Sequence, residues 1–199
     1  MIAQGWGKIG INGLFLKRSV SGIENIPAGP VIIAANHTSM LDIQLLLGYL
    51  PKKFHFLVKK ELFKIPVFRI IIRLLGFYAI DRKDPQKAFL EIQKITKNIN
   101  ENGEAIFVFP EGTRNPNGGL LPFKRGMVKI ALDSQVPILP VAINGCAKVT
   151  VTRFIFQRYP VSIKIGKPIA PPKTKEELNI VNEKVRTAIL EMLDDKGSN

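Results

Sequence analysis

The stretch Asn36-His37-Thr38-Ser39-Met40-Leu41-Asp42 holds the pair of side chains best suited to proton transfer in this sequence. Imidazole changes charge near neutrality, so histidine is the side chain most often used as a general base. A carboxylate on the other ring nitrogen fixes the tautomer and stabilises the imidazolium that forms. The spacing sets a geometric condition. Five residues along a regular helix turn about 140° beyond one revolution, so the two side chains would not share a helical face. His37 must sit in the loop leading into a helix, with Asp42 in the first turn reaching back. Ser39-x-x-Asp42 also fits a capping box, in which Asp42 closes a helix start; spacing alone does not choose between these readings. The other histidine, His55, lies inside a strand pattern and reads as structural.

Three further clusters could bind an anion. In Phe109-Pro110-Glu111-Gly112-Thr113-Arg114, Arg114 offers a planar fork for phosphate, Gly112 permits close backbone approach, and Glu111 could accept from substrate hydroxyls or hold Arg114. An ordinary polar turn with a local Glu–Arg pair fits equally. Residues 76–82 end in Asp81-Arg82, a second guanidinium that could instead be solvated or paired with Asp81. Lys59-Lys60 follows a strand pattern and could add a phosphate contact or be solvated. There is no Gly-x-Ser-x-Gly elbow, phosphate loop or dinucleotide fingerprint. Cys146 has no histidine beside it in sequence, so a thiol nucleophile is disfavoured. A His–Asp pair without an enzyme nucleophile would most simply activate a substrate hydroxyl directly.

Positioning these groups is the task of alternating elements. β-branched runs at 31–35, 54–58, 76–80, 105–109, 138–143 and 161–165 read as strands. Asp84 with Pro85 opens a helix whose apolar stripe is Ala88, Phe89, Ile92, Ile95 and Ile99, and Asn102-Gly103 closes it. Leu178, Val181, Val185, Ile189 and Met192 mark a last helix. Alternation of this kind predicts one α/β domain with a mixed, largely parallel sheet flanked by helices, over 19–195, with a flexible tail at 196–199. In such folds sites gather beyond the strand ends, where every cluster above falls.

The chain has 199 residues, 46% of them hydrophobic, and a formal charge of +13. Nine basic residues against two acids lie between Lys52 and Lys83, a patch that suits nucleic acid, an anionic bilayer or phosphorylated substrates. Aromatic residues are only 8% and no nucleic-acid-binding motif occurs, which disfavours the first. One cysteine precludes an internal disulfide and suits a reducing compartment. Met1 to Lys17 lacks the order of a signal peptide, and no apolar run approaches the roughly 18 residues of a membrane span. Residues 66–75 (PVFRIIIRLL) fit either an interfacial helix with Arg69 and Arg73 on one side or a buried helix whose arginines snorkel.

Together these clusters resemble the 1-acylglycerol-3-phosphate acyltransferase family, the lysophosphatidic acid acyltransferases. Its NHxSxxD pattern matches Asn36, His37, Ser39 and Asp42; its second motif matches residues 76–82; its EGTR block matches Glu111 to Arg114. Its proline-bearing motif matches residues 136–143, and Phe123-Lys124-Arg125-Gly126 also looks like the family. The resemblance spans about residues 20–168. It implies transfer of a fatty acyl group from acyl-CoA or acyl-carrier protein to the sn-2 hydroxyl of 1-acylglycerol-3-phosphate, giving phosphatidic acid. It implies His37 as base, Asp42 as its orienter, and Lys59, Arg82 and Arg114 as holders of the glycerol phosphate, with Glu111, Gly112 and Thr113 shaping that pocket. No metal or redox cofactor is needed, because a thioester is already activated.

Family members often carry a longer apolar N-terminal region; here about twenty residues precede the motifs. Residues 1–18 read as a membrane-proximal segment in which Trp6, Ile9, Ile11, Leu14, Phe15 and Leu16 form a shallow anchor, while Gly5, Gly7, Gly10 and Gly13 argue against a helix. The expected place is the cytoplasmic face of the cell membrane, peripheral or monotopic, on an anionic surface. Another lysophospholipid or a lyso-aminolipid remains the alternative acceptor.

Overall fold

In the computed structural model, which describes residues 2–74, 76–81, 84–151 and 156–194, strands and helices alternate along the chain. They run α1 (Ile2–Gly13), β1 (Arg18–Ser21), β2 (Ile32–Ala35), α2 (Leu41–Tyr49), β3 (His55–Lys59), α3 (Pro66–Leu74), β4 (Tyr78–Ile80), α4 (Pro85–Asn102) and β5 (Ile106–Val108). There follow α5 (Gly126–Ser134), β6 (Ile138–Asn144), β7 (Thr150–Val151), β8 (Phe156–Gln157), β9 (Val161–Ile165) and α6 (Leu178–Met192). Seven strands form one sheet in the order β1-β9-β6-β2-β5-β3-β4, and β7 pairs with β8 separately. Only the β6–β9 pair is antiparallel in the large sheet; its other five pairs are parallel. The mixed, largely parallel sheet is as expected from the alternation.

Both faces of the sheet are covered, so the central strands read as unbroken apolar runs. Along β2, Ile32 and Ala34 enter one core with α4, α5 and α6, while Ile33 and Ala35 enter the other with α1 and α2. β5 divides likewise, with Ile106 and Val108 on the first side and Phe107 on the second. The connection leaving β2 through α2 therefore crosses one face, and that leaving β5 through α5 crosses the other. The carboxyl ends of β2 and β5, where the two connections part, are therefore a topological switch point, the usual place for a site in an open α/β sheet.

Local chemistry sets several boundaries. Asp84 accepts from the backbone N–H of Gln86 and Lys87 at 3.1 Å each, Pro85 begins α4, and Gly103 ends it. The N-terminal segment departs from expectation: its glycines do not prevent a helix. A Cβ on Gly7 would lie 2.5 Å from the Gln44 carbonyl oxygen and the Gly48 nitrogen, so this glycine lets α1 press its backbone onto α2. Burial of Ile11 and the hydrogen bond from Tyr49 to Asn12 (2.6 Å) complete the contact. Packing here outweighs intrinsic propensity. Four elements carried too little local signal to be foreseen: β1, a mostly exposed edge strand, α5, nine residues long, and the two-residue strands β7 and β8. The tail 196–199 lies outside the described residues.

Candidate active site

His37 stands in the loop just beyond β2, and Asp42 is the second residue of α2, entirely buried. The imidazole Nδ1–H donates to Asp42 Oδ2 at 2.9 Å. The same oxygen accepts from the backbone N–H of Thr38 at 2.6 Å and of Ser39 at 2.8 Å. Both readings of the motif thus meet in one carboxylate, which closes the helix start and holds the histidine. The reciprocal half of a capping box is replaced, because Ser39 Oγ accepts from Leu41 N–H (3.3 Å) instead of from Asp42.

Three neighbours fix the loop that carries His37. Asn36 is buried and mimics a strand residue: its Nδ2 donates to the Ile143 carbonyl at 2.9 Å, and its Oδ1 accepts from Ile143 N–H at 2.7 Å. The His37 ring stacks on Phe109, at the end of β5, with centroids 3.9 Å apart and planes 13° apart. Glu111, also buried, accepts from His37 N–H at 2.9 Å and from Leu121 N–H at 2.8 Å. Its oxygens are therefore occupied by backbone donors from two loops, an arrangement that neither expected role, substrate hydroxyl or Arg114, anticipated. Burial pushes the Glu111 carboxyl up from its ordinary value, against the downward pull of the two N–H bonds.

Gly112 is buried with φ 74 and closes a tight turn through its N–H to the Phe109 carbonyl (3.0 Å), a backbone setting that favours glycine. Thr113 and Arg114 are exposed beyond β5, and Lys59 is exposed at the end of β3. Lys59 closes β3 and Arg114 follows β5, neighbouring parallel strands on one side of β2. Lys60 lies 3.4 Å from Asp81. Arg82 is outside the described residues. His55 opens β3 and donates from Nδ1 to the Gly76 carbonyl at 3.0 Å, a structural placement.

Sequence reading missed Asn36, Phe109 and Leu121 as supports of His37, and it missed where Cys146 lies. That thiol is buried against Asp42; burial pushes its pKa well up, and the neighbouring carboxylate acts in the same direction. A protonated, enclosed thiol is no nucleophile. The cavities among the described residues include a larger and a smaller one. The larger, about 810 Å³, is lined by α3, β4 and α4 and excludes His37 and Asp42. The smaller, about 200 Å³, borders Asn36 and Thr38 and likewise excludes His37 and Asp42.

Residues 17–144, which include Asn36, His37, Asp42, Phe109, Glu111 and Arg114, match the acyltransferase family. The chain belongs to the acyltransferase family. Among its relatives, the 1-acyl-sn-glycerol-3-phosphate acyltransferase of Saccharomyces cerevisiae is 34% identical over 188 residues, covering 92% of this chain and 62% of the yeast protein. The chloroplastic 1-acyl-sn-glycerol-3-phosphate acyltransferase BAT2 of Brassica napus is 32% identical, covering 97% of this chain and 55% of its own. This acyltransferase thus spans between half and two thirds of the length of these relatives. The crystal structure of the 1-acyl-sn-glycerophosphate (LPA) acyltransferase PlsC from Thermotoga maritima superimposes with a TM-score of 0.77 at 33% identity, covering 100% of this chain and 80% of that one.

Proposed function

We propose that this acyltransferase moves a fatty acyl group from a thioester donor, acyl-CoA or acyl-carrier protein, to the sn-2 hydroxyl of 1-acylglycerol-3-phosphate, giving phosphatidic acid. The observation that carries the reading is the His37–Asp42 pair, 2.9 Å apart just beyond the carboxyl end of β2. Asp42 takes Nδ1, which leaves Nε2 as the ring nitrogen for the substrate. Nε2 removes the acceptor's hydroxyl proton as that oxygen attacks the thioester carbon, and Asp42 stabilises the imidazolium. When the tetrahedral intermediate collapses, the C–S bond breaks and the thiolate takes the proton back from Nε2. The base is regenerated and a free thiol leaves. The thioester supplies the activation, so the proposed reaction calls on no metal or redox cofactor.

Arg114 holds the acceptor phosphate through its guanidinium fork, and Lys59 adds a point charge from the next strand. β3 is two strand spacings from β2, about 10 Å, a separation that a glycerol phosphate and a lysine side chain bridge together. Glu111 and Gly112 set the loop's shape rather than touching substrate. The protein works on an anionic lipid surface: its net charge is +13, Trp6, Ile9 and Phe15 are 46%, 74% and 73% exposed, and lysolipid acceptors reside there. Among the described residues no helix is long and apolar enough to cross a membrane.

Incubation with acyl-CoA or acyl-carrier protein and a panel of lysolipids, with products identified by mass, tests the proposal. The expected product arises from 1-acylglycerol-3-phosphate. Arg114→Ala should raise the KM for that acceptor about 10- to 100-fold, the worth of charge-assisted hydrogen bonds. Equal use of a neutral lysolipid, with no effect of Arg114→Ala, would show that another acceptor is the natural one.

A further inference from the structure

Residues 120–124 belong to no helix or strand, yet they are bonded to the reactive loop on one side and to α6 on the other. Two backbone donors face the site. Leu121 N–H donates to Glu111 Oε2 at 2.8 Å, while the other oxygen of that carboxylate accepts from His37 N–H at 2.9 Å. Lys124 N–H donates to the Pro110 carbonyl at 2.9 Å. The carbonyls of the same two peptides are held by α6. Asn182 Nδ2 donates to the Phe123 carbonyl at 3.3 Å, and Arg186 Nη2 donates to the Leu120 carbonyl at the longer distance of 3.5 Å. We propose that Asn182 and Arg186 are positioning residues for the acyl transfer, holding from behind the segment that seats Glu111 and, through it, His37. The proposal rests on the acyltransferase reading above, and it gives a role to α6, which lies beyond the matched residues 17–144.

The planarity of the peptide unit makes this arrangement directional. In a trans peptide the C=O and N–H point opposite ways, so a donor on the carbonyl aims the N–H across the plane. Arg186 on Leu120 thus aims Leu121 N–H at Glu111, and Asn182 on Phe123 aims Lys124 N–H at Pro110, the residue before Glu111. Stability alone does not account for an asparagine at this place. Asn182 is 5% exposed, on the α6 face that also buries Val181, Val185 and Ile189. A carbonyl only accepts, so the amide turns its nitrogen to Phe123, and its Oδ1 is buried with no hydrogen-bond partner among the described residues. An unmade buried acceptor costs at least as much as an ordinary hydrogen bond contributes, so an apolar side chain would serve the core as well. A local rule broken inside an apolar stripe points to function. Phe123 is buried in the same core as Val181 and Val185, so packing already fixes its ring. The amide of Asn182 fixes the direction of its peptide.

The test compares Asn182→Leu and Arg186→Met with Ile189→Val, a buried position about 10 Å beyond Asn182 on the same face of α6, which weakens the helix away from the segment. Each protein is assayed with 1-acylglycerol-3-phosphate and an acyl-CoA or acyl-carrier-protein donor, unfolded in urea, and measured for amide hydrogen exchange by NMR. The first two variants should lower kcat about 10- to 100-fold while both KM values stay within about twofold. Their His37 and Leu121 N–H groups should exchange faster, with urea midpoints near that of wild type. Ile189→Val should do the reverse, losing midpoint and keeping kcat. Should Asn182→Leu not fold, Arg186→Met decides by the same readings. Folded variants with wild-type kcat and wild-type exchange at His37 would overturn the positioning role while leaving the acyltransferase reading in place. An equal loss of kcat in Ile189→Val would overturn it too, because the loss would then follow the stability of α6. If the wild type acylates no lysolipid, the acyltransferase reading fails and exchange alone decides. Faster exchange at His37 and Leu121 in the two variants then sustains the hold of α6 on the loop, and unchanged exchange removes it.

Discussion

Asp42 holds His37 through the same oxygen that ties down the two residues after it: Oδ2 accepts from the imidazole at 2.9 Å, from Thr38 N–H at 2.6 Å and from Ser39 N–H at 2.8 Å. Orientation of the base and closure of the α2 start are one electrostatic event. Asp42→Asn puts an amide donor among these three donors. It should lower kcat about 10³- to 10⁴-fold and cost about 1–3 kcal/mol of stability. His37→Ala should lower kcat about 10²- to 10⁴-fold while the fold persists. Steady-state kinetics with circular dichroism melts separate the two, and a folded His37→Ala protein with near-normal turnover would remove His37 from the mechanism.

Glu111 offers a subtler test, because it is isosteric with a residue that cannot replace it. Glutamine has one acceptor oxygen and one donor nitrogen, so Glu111→Gln leaves either His37 N–H or Leu121 N–H facing a donor. The expected cost is about 1–3 kcal/mol, with kcat reduced more than the acceptor KM is raised. Burial raises the folded carboxyl's pKa, so its contribution to stability is fully present below its unfolded value and declines as pH rises through the folded one. The stability gap between wild type and variant should therefore be widest in acid and narrow toward neutrality. Chemical denaturation across that range measures it, and a gap that widens with pH would contradict the burial argument.

Gly7 and Gly5 should respond oppositely to the same substitution. Gly7→Ala forces its Cβ into the α2 backbone, 2.5 Å from Gln44 O and Gly48 N, and should cost about 1–3 kcal/mol by overpacking. Gly5→Ala meets nothing within 4 Å and should gain about 0.5–1 kcal/mol by stiffening the helix. Urea titration of both variants gives the comparison. Similar effects at the two sites would mean that α1 does not pack on α2 in solution.

Alkaline stability should depend on Tyr78. Burial, reinforced by the Glu104 carboxylate that accepts from its hydroxyl at 2.6 Å, pushes this phenol up to about 12 against the opposing pull of the Asn98 amide. Its raised folded pKa means that stability is intact below about pH 10, the free phenol's value, and is lost as pH rises toward the folded one. Tyr78→Phe should cost about 1 kcal/mol at neutral pH through the lost hydrogen bond and flatten the alkaline decline. Thermal melts across the alkaline range report both effects.

How much of this was legible beforehand depends on how local each cause is. The α4 boundaries follow from Asp84, Pro85 and Gly103, whose effects act within a few residues, and the structure places all three as their chemistry requires. The loop position of His37 followed from helix geometry alone. Burial of β2 and β5 on both faces was readable because an unbroken apolar run has few other stable uses. β1 and α5 were missed because an exposed edge strand and a short helix leave weak periodicity.

Sequence by itself determined the α/β class and the strand-end placement of the reactive groups, and left the pairing of His37 with Asp42 open against a helix cap until the 2.9 Å contact was seen. Tertiary structure decided which elements support them. Glu111 reaches His37 across 74 positions of chain, and Asn36 reaches Ile143 across 107. The helicity of a glycine-rich α1 rests on a backbone contact with α2. Cys146 lies against Asp42 although nothing in its own neighbourhood of the sequence indicates it. The physical reason is common to all four. Caps and periodicities are satisfied by near neighbours and are written in short stretches, whereas buried donors and close-packed glycines are satisfied by whatever the sheet order brings beside them. In this protein that order sets β2 between β5 and β6.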